Sequence, residues 1–403
     1  MIELEEAIER VLGAVSESSS EEIRLADAVG RISAEAIVSP ASLPRFDNSA
    51  MDGYALRAAD VRDAGPASPV SLRMVGRVPA GGVHVGDAIE SGQCVRIFTG
   101  SPLPAGADAV IMQEDTLVDG DRIDCRDSVK PWENVRLAGE DVKRGAELVK
   151  AGAAITAGGL AVLAAVGVGG VKVGRRPKVA LLATGDELRE AGEELPPGAI
   201  HESNRATLAE LVRRSGGEPL EYPIVPDRLD ATTSALKQAF DECDFVITSG
   251  GVSVGELDFV KEAFEKLGGS MDFWKVRVKP GKPFVFGQLG KKLLFGLPGN
   301  PVSAMVTFLL LARPAIIRFQ GGSPERQSSM VGILGESLLN RGDRRHFMRV
   351  RMDDEGTVRP AGMQASHALG ALADANGVVD VPPSSTREAG EKVRVFRWDL
   401  ELR

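Results

Sequence analysis

The sequence predicts a multidomain protein that combines a doubly wound α/β domain with β-rich domains. Its 403 residues exceed one ordinary core, because single domains usually hold about 100–200 residues. Between residues 176 and 321, strand-like apolar runs alternate with helix-like runs, the pattern of a parallel sheet covered by helices. On both sides of that region, short β-like runs are separated by glycine and proline, which is typical of small β domains.

Composition excludes several classes of protein. A hydrophobic content of 43% with 26% charged residues indicates a globular chain. The net charge of −9 argues against broad binding to nucleic acid or a membrane surface. Cys94, Cys125 and Cys243 are widely spaced and form neither a disulfide framework nor a zinc motif. We therefore expect a cytoplasmic protein that binds neither nucleic acid nor membrane.

The first half of the chain begins with helical segments and continues with short strands. Residues 1–37 read as an acidic amphipathic helix and a second short segment, without the features of a signal peptide. Residues 151–171 carry no charge, and their scattered glycines favour a buried helix, a turn and a strand over a membrane span. Between them lie the β-like runs VSLRMVGRV, QCVRIFTG, DAVIMQED and RIDC.

The α/β region is read as strands and helices in strict alternation. Asn300 and Pro301 are expected to occupy the N-cap and the first position of its last helix, VSAMVTFLLLA. After about Gln320 the pattern returns to strands, which predicts a C-terminal β domain. The alternating runs are KVALLAT, NRATLAELVRRSG, LEYPIVP, LDATTSALKQAFDE, DFVITS and LDFVKEAFEKLGG.

Candidate ligand-binding residues follow the predicted strands, where open α/β sheets bind their ligands. A glycine loop, SGGVSVGE, can present backbone N–H groups to a phosphate, and carboxylates can hold Mg²⁺. Lysines farther along can neutralise anionic charge. The carboxylates are Asp186, Glu187, Asp227 and Asp258, and the lysines are Lys275, Lys279 and Lys282.

Each of these features also has a purely structural interpretation. The glycine loop matches neither common nucleotide motif and is equally compatible with a tight turn. Asp186 and Glu187 suit a helix N-terminus, Asp227 suits a helix cap, and the lysines suit a solvated surface. The four histidines show no metal-ligand spacing. The residues alone predict an α/β protein that binds a phosphorylated ligand with a divalent cation.

Longer motifs add a family resemblance. In chain order they are FDNSAMDGYA, VRIFTGSP, TGDEL, SGGVSVGE, KPGKP and GLPGNP, followed by QASH and ANG near the C-terminus. Together they resemble the molybdopterin molybdenumtransferase family, which includes MoeA and the gephyrin E domain. The resemblance covers essentially the whole chain.

The resemblance implies a particular architecture. It comprises an elongated helical and strand region from residues 1–43 and 138–175, and a small β-rich domain at 44–137. A MogA-like molybdopterin-binding α/β domain at 176–321 and a C-terminal β-barrel at 322–403 follow. The family forms homodimers whose active cleft combines the α/β domain of one subunit with β-rich regions of the other.

The implied reaction inserts molybdate into adenylylated molybdopterin and releases AMP with the help of Mg²⁺. Molybdopterin adenylyltransferase and recipient molybdoenzymes are the other expected partners. By matching position, the catalytic candidates are Asp258, Asp227, Glu187, Asp186, Thr99 and Asp52, the first four also being Mg²⁺ ligands. The substrate-binding candidates are Gly250, Gly251, Ser253, Gly255, Lys275, Lys279, Pro298, Pro301, Arg349, Ser366, Arg136 and Asp141.

Within that set, Asp52, Thr99, Arg136 and Asp141 are expected to come from the opposing subunit. Three other activities share parts of this pattern: a gephyrin-like scaffold without catalysis, a molybdopterin adenylyltransferase, and a tungsten-specific relative. The complete set of carboxylates and lysines favours catalysis over a scaffold. The FDNSAMDGYA region and the C-terminal domain disfavour the adenylyltransferase.

Overall fold

The computed structural model describes residues 1–16, 19–251, 259–324 and 329–399. The chain divides into two compact units. The first unit comprises residues 1–35, 150–160 and 170–403, and the second comprises residues 36–149 and 161–169. The finer division into four parts stays a prediction.

A six-stranded sheet forms the centre of the first unit. Its first four strands in spatial order are parallel, as predicted, and the fifth strand pairs antiparallel with both of its neighbours. In spatial order the strands are Glu218–Glu221, Lys178–Ala183, Phe245–Ser249, Lys292–Leu297, Val285–Leu289 and Ser270–Trp274.

Helices cover both faces of this sheet, because its strands are apolar on both sides. Val179 and Leu181 pack into one buried cluster, whereas the alternate residues Ala180 and Leu182 pack into another. This period of two is that of an extended strand. The helices are Asn204–Arg214, Leu229–Glu242, Val260–Lys266, Pro301–Thr307 and Arg313–Phe319, the last two joined by the π-helical segment Phe308–Ala312.

The strand order creates a topological switch point. The chain leaves strand Lys178–Ala183 for the edge strand Glu218–Glu221 and then returns to strand Phe245–Ser249 on the opposite side. The loops after strands Lys178–Ala183 and Phe245–Ser249 therefore lead in opposite directions and leave a crevice between them. Open α/β sheets bind their ligands in crevices of this kind. The parallel pair Leu188–Arg189 and Ile200–His201 lies in the segment that leaves this point.

The C-terminal part of the first unit is a barrel of five strands. Strand Gly377–Val381 pairs with Arg345–Met352 and closes the sheet on itself, which removes the exposed edges that an open sheet would have. The predicted C-terminal β-barrel is confirmed. Its other strands are Thr357–Pro360, Ser329–Leu334 and Lys392–Arg397. Strand Val278–Lys279 pairs in parallel with Arg345–Met352. The same part of the chain contains the antiparallel pair Leu338–Asn340 and Ser385–Arg387 and the helix Gly370–Asp374.

The N-terminal segment also belongs to the first unit. Helix Leu4–Ala14 buries Leu4, Ala7 and Val11, whose spacing places them on one helix face. Strand Ser20–Arg24 follows, pairs antiparallel with Gly170–Gly174, and leads into a 3₁₀ turn at Leu25–Asp27.

The second unit is β-rich, as the sequence predicts. Its main sheet has six strands, in the spatial order Ala109–Met112, Gly53–Leu56, Gln93–Ile97, Val70–Val78, Arg122–Cys125 and Thr116–Asp119. Two short antiparallel pairs accompany it, Asn48–Ser49 with Val135–Arg136 and Ile37–Val38 with Glu147–Val149. Single 3₁₀ turns lie at Ala58–Val61 and Gln113–Asp115.

Two apolar stretches differ in their burial. Pro301–Phe319 is long and apolar enough to cross a membrane, but 94% of its most apolar stretch is buried inside the protein. The uncharged stretch 151–171 forms the predicted helix, Ala157–Ala165, followed by a turn and a strand. The expectation that this helix is buried is wrong, because Leu163 alone among its residues is buried. Most residues of this helix therefore lie outside the core, although they are apolar.

Candidate functional site

A cavity of about 860 Å³ opens at the switch point. Its floor is the backbone at the ends of strands Lys178–Ala183 and Phe245–Ser249, and its walls come from the turn at residues 298–301 and the segment at 200–204. All of its lining residues belong to the first unit. They include Thr184, Gly185, Glu187, Asp227, Ser249, Gly250, Gly251, Pro298 and Pro301, with aliphatic side chains at the rim.

The glycine loop approaches a neighbouring strand end too closely for side chains. A Cβ atom at Gly250 would lie 2.8 Å from the Thr184 carbonyl oxygen, and one at Gly251 would lie 2.9 Å from the Thr184 hydroxyl. Both glycines have positive φ, 89° and 66°, a conformation that glycine adopts at little cost. The amide of Gly250 donates to the Leu297 carbonyl oxygen. The bare backbone is thus required by close packing at the switch point.

Asp186 and Asp227 lie side by side at the ends of adjacent strands. The Asp227 N–H donates to the Asp186 carboxylate at 3.1 Å, and the Asp186 N–H donates to the Asp227 carboxylate at 3.4 Å. Glu187 and Asp227 line the cavity, whereas Asp186 lies just outside it. The element bounds do not place Glu187 or Asp227 at a helix cap. A short strand, not a helix, follows Glu187, and the cap position of the next helix is Arg228.

A buried ion network beside the cavity was not predicted. Glu202 accepts hydrogen bonds from the N–H groups of Asn204 and Arg205, so its carboxylate stabilises the start of helix Asn204–Arg214. The Arg205 guanidinium bonds Glu202 at 3.0 Å, the Tyr222 carbonyl and Glu190. The signal in the sequence was the polar run His201-Glu202-Ser203-Asn204 directly before a helix.

The turn at residues 298–301 is held from two directions. The Asn204 amide donates to the Gly299 carbonyl oxygen at 2.8 Å, and the Asn300 amide donates to the Ser366 hydroxyl at 3.2 Å. The predicted helix start at Pro301 is confirmed, but Asn300 makes no side-chain capping bond. Its side chain is instead used to join the turn to the segment that carries Ser366.

Arg349 lies in the barrel and is buried. Its guanidinium donates to the carbonyl oxygens of Met363 and Ala365, and Gln364 bonds both its N–H and its carbonyl oxygen. Arg349 therefore fixes the segment that leads to Ser366. Its guanidinium partners here are carbonyls rather than carboxylates, and burial lowers its pKa.

Lys279 lies in a second cavity of about 470 Å³, with His346 and Gln364. Burial, together with the positive charges of Lys279, Arg349 and Arg344, lowers the pKa of His346 to about 4. Lys275, with φ of 83°, places its ammonium 4.9 Å from the centre of the Trp274 ring. Neither lysine lines the larger cavity among the residues described.

The four candidates expected from an opposing subunit lie in the second unit. Asp52 accepts hydrogen bonds from the Thr99 N–H and hydroxyl, both at 2.8 Å, and these bonds lower its pKa. Arg136 pairs with Asn48 in a short antiparallel ladder. The Asp141 N–H donates to the Leu43 carbonyl oxygen. Their roles stay predictions.

Ser253, Gly255 and Asp258 lie outside the described residues. Within the described ranges, no three His, Cys, Asp or Glu side chains group closely enough to hold a metal ion. Cys94, Cys125 and Cys243 are buried free thiols. Burial raises the pKa of Cys94 to about 12 and that of Cys125 to about 11, so these two thiols are not poised as nucleophiles.

With a cavity at the switch point, a glycine loop and paired carboxylates, the first unit has the form of a ligand-binding, doubly wound α/β protein. Residues 180–318 match the family described as a probable molybdopterin binding domain. Residues 2–167 match the MoeA N-terminal region (domain I and II), and residues 331–398 match the MoeA C-terminal region (domain IV).

The chain belongs to the molybdopterin molybdenumtransferase family, as its motifs predicted. It is 39% identical to the molybdopterin molybdenumtransferase of Haemophilus influenzae, over 89% of each chain. It is 34% identical to that of Bacillus subtilis, over 98% of this chain and 94% of the relative. The crystal structure of a molybdopterin biosynthesis MoeA protein from Pyrococcus horikoshii matches with a TM-score of 0.85 at 33% identity, over 99% of this chain and 100% of that one. The predicted fold class is confirmed.

Replacing Arg205 with leucine should strongly destabilise the protein. The change leaves Glu202, 4% exposed, without its cation, and breaking a buried pair in this way costs about 3–5 kcal/mol. Arg213→Leu on the same helix is the matched control, because that side chain is 54% exposed and exposed pairs contribute about 0–1 kcal/mol. Urea unfolding followed by circular dichroism measures both, and equal effects would contradict a structural role for the buried network.

His346 should make stability depend on pH below neutrality. Its pKa is about 4 in the folded protein against 6.5 ordinarily, so the unfolded chain binds the proton first and folding weakens as pH falls through that window. Between pH 7 and 4.5, wild type should lose roughly 2–3 kcal/mol more than His346→Gln. Urea unfolding at each pH measures this difference, with pH 8 as the internal reference. Parallel pH curves for the two proteins would show the prediction wrong.

Proposed function

We propose that this protein inserts molybdate into adenylylated molybdopterin and releases AMP in a Mg²⁺-dependent reaction. The observation that carries the proposal is the juxtaposition, in one cavity, of the open glycine backbone at Gly250 with the carboxylates of Glu187 and Asp227. Family membership supplies the substrate class, and this geometry supplies groups suited to a phosphoanhydride.

The cavity floor offers polar groups for a phosphate. The hydroxyls of Thr184 and Ser249 are buried and have no hydrogen-bond partner among the described residues. Buried hydroxyls in folded proteins are nearly always bonded, so two unpaired hydroxyls at the floor are consistent with a polar ligand above them. Gly250 and Gly251 line the cavity, so a phosphate bound there would lie against their backbone.

The residues present fit a magnesium ion. No lysine or arginine is among the described lining residues, whereas Glu187, Glu202 and Asp227 are. A pyrophosphate beside these carboxylates needs a cation, and Mg²⁺ prefers one or two carboxylates plus waters and phosphate oxygens. Glu187 and Asp227, which line the cavity, would hold it, with Asp186 beside Asp227 and Asp258 expected from the sequence. When bound, the ion neutralises charge that develops on the phosphate oxygens.

Molybdate is a dianion and requires cationic or N–H partners. Arg349 is a buried cation whose guanidinium bonds carbonyl oxygens of the segment preceding Ser366. Lys279 lines the 470 Å³ cavity with Gln364 from the same segment. This positive region supports the expectation that Arg349, Ser366 and Lys279 serve the oxyanion. Tungstate has the same charge and shape, so metal preference is part of the test below.

We also propose that the protein works as a homodimer in the cytoplasm. Helix Ala157–Ala165 has no charged residue and leaves most of its residues outside the core. Exposed apolar surface of this kind marks interaction sites, and a twofold contact uses the same patch on both subunits. A dimer would let Asp52, Thr99, Arg136 and Asp141 reach a partner's cavity. The buried free thiols suit a reducing compartment, where the adenylyltransferase and recipient molybdoenzymes are also expected.

The reaction itself tests the proposal. Purified protein with adenylylated molybdopterin, Mg²⁺ and molybdate should release AMP and form metal-loaded pterin, with tungstate as a parallel arm. Asp227→Asn should reduce AMP release by about 100-fold or more, because it removes a carboxylate from the cation site. Asp258→Ala is expected to retain the fold and lose turnover.

Asp230→Asn provides the matched control, since Asp230 is 83% exposed at the start of the adjacent helix. Its activity should equal that of wild type. A wild-type protein that releases no AMP in response to molybdate or tungstate would overturn the insertase proposal. An unchanged Asp227→Asn would remove this residue from the reaction while leaving the insertase proposal in place.

The oligomeric state should depend on helix Ala157–Ala165. Ala161→Glu adds a charge to an exposed apolar surface and should convert a particle of twice the chain mass into a single chain. Light scattering during size-exclusion chromatography measures this mass. Leu117→Glu, at a 57% exposed site in the second unit, should leave the mass unchanged. A wild-type protein with the mass of one chain would contradict the proposed dimer.

A further inference from the structure

Two of the four histidines in the chain, His201 and His367, line the 860 Å³ cavity. Imidazole is the side chain that most readily gains and loses a proton near neutral pH, which makes it the commonest proton carrier in enzyme sites. Of the other two histidines, His84 belongs to the second unit and His346 is buried in the barrel. The binding of phosphate, magnesium and molybdate proposed above uses neither imidazole of the cavity.

The two cavity histidines differ in what their rings contact. The Nε2 atom of His201 lies 2.9 Å from the Glu193 carbonyl oxygen, so one ring nitrogen is occupied as a hydrogen-bond donor. His367 is exposed, and its ring has no hydrogen-bond partner within the part of the chain that the structure describes. Both nitrogens of the His367 ring are therefore free to bond a ligand in the cavity.

The backbone places His367 at a fixed point beside Ser366. The two residues form a turn. The Asn300 amide donates to the Ser366 hydroxyl at 3.2 Å, and the Arg349 guanidinium donates to the Ala365 carbonyl oxygen at 3.2 Å. The turn is thus anchored from two sides. Since Ser366 is expected to serve the oxyanion, the His367 ring lies where the expected molybdate position borders the cavity.

The charged groups around this imidazole are mainly carboxylates. Glu187, Glu202 and Asp227 line the same cavity, His201 is its other titratable side chain, and no lysine or arginine is found among the described lining residues. On the barrel side, the guanidinium of Arg349 is bonded to backbone carbonyl oxygens. A histidine that carries a proton passes through a positively charged imidazolium form, and negative charge nearby stabilises that form.

Insertion of molybdate requires the transfer of two protons. Molybdopterin carries two thiols on neighbouring carbon atoms, and molybdate is MoO₄²⁻. Two molybdenum–sulfur bonds form, one molybdenum–oxygen bond breaks, and the oxide leaves as water with both thiol protons. A dithiol and MoO₄²⁻ thus give water and a dianion that has three oxides and two sulfurs on molybdenum. Atoms and charge balance, and the step needs no oxidant or reductant. A group that carries protons from sulfur to oxygen accelerates such a step.

We propose that His367 is a catalytic residue that carries each proton from a substrate thiol to the departing oxygen of molybdate. The inference rests on the proposed function, which supplies both substrates. The neutral imidazole accepts a thiol proton as the sulfur bonds molybdenum, and the imidazolium then donates that proton to the oxide. A second transfer completes the water molecule, and the His367 ring ends neutral, as it began.

Two substitutions at His367 test the proposal through the formation of metal-loaded pterin. His367→Ala and His367→Gln should each lower kcat by about 100-fold or more, the usual contribution of a proton carrier. The KM for molybdate and the affinity for adenylylated molybdopterin should stay unchanged, because the ring moves protons and is not required to hold either substrate. Both variants should keep the wild-type circular dichroism spectrum, since this side chain is exposed.

Free imidazole distinguishes proton transfer from a structural role of the side chain. In His367→Ala the shortened side chain leaves room for free imidazole, which should raise kcat at least about tenfold. In His367→Gln the amide fills that space, so imidazole should have no effect. His84→Ala in the second unit is the matched control, and its kcat should equal that of wild type with or without imidazole.

The inference is overturned if either His367 variant keeps the wild-type kcat, if free imidazole fails to restore His367→Ala, or if the loss lies in the KM for molybdate. It is also overturned if imidazole restores an inactive His201→Ala instead, which would make His201 the proton carrier. A wild type and His367 variants that form metal-loaded pterin equally fast contradict the inference alone. A wild type that forms no metal-loaded pterin contradicts the proposed function, and the inference with it.

Discussion

The close approach of Gly250 and Gly251 to Thr184 is the constraint on which the rest of the site depends. Strands Lys178–Ala183 and Phe245–Ser249 are adjacent and parallel, yet the loops that follow them lead to opposite sides of the sheet. The crevice exists because of that divergence, and its floor is backbone because a Cβ at Gly250 would collide with the Thr184 carbonyl. The polar groups of the floor are therefore amides and small hydroxyls, whose positions are set by the sheet rather than by mobile side chains.

The walls of the cavity are positioned from outside the sheet. Asn204 bonds Gly299 and Ser366 bonds Asn300, two adjacent residues of the turn at residues 298–301, and each is itself supported by a buried arginine. Arg205 holds the carboxylate that anchors the helix start at Asn204, and Arg349 holds the segment before Ser366. These contacts, made outside the sheet, thus fix the turn that forms one wall of the cavity.

Much of this arrangement was predictable because it follows from hydrophobic periodicity and from the glycine, proline and polar residues that end helices and strands. Helix Leu229–Glu242 was delimited correctly, and the alternation of strands and helices gave the parallel sheet. The sequence could not show that Glu202 and Arg205 pair with each other, since a polar run before a helix is also compatible with solvent exposure. It could not show that Asn300 reaches Ser366, 66 positions away, because local capping propensity suggests a nearer partner. Nor did it show that helix Ala157–Ala165 stays exposed, since apolar composition usually means burial.

The distribution of charge connects the two halves of the proposed chemistry. The described lining of the larger cavity contains carboxylates and no lysine or arginine, whereas Lys279, Arg344 and Arg349 surround His346 strongly enough to help keep its imidazole neutral. Oxyanions are attracted to the second region, and a cation is needed before a phosphate is tolerated in the first. The segment at residues 363–366 touches both regions, because Arg349 bonds its carbonyls and Ser366 bonds Asn300. In the proposed reaction, this short segment would connect a cavity whose charged lining residues are carboxylates with a region of positive charge, and the two anionic substrates would be bound by groups of different charge.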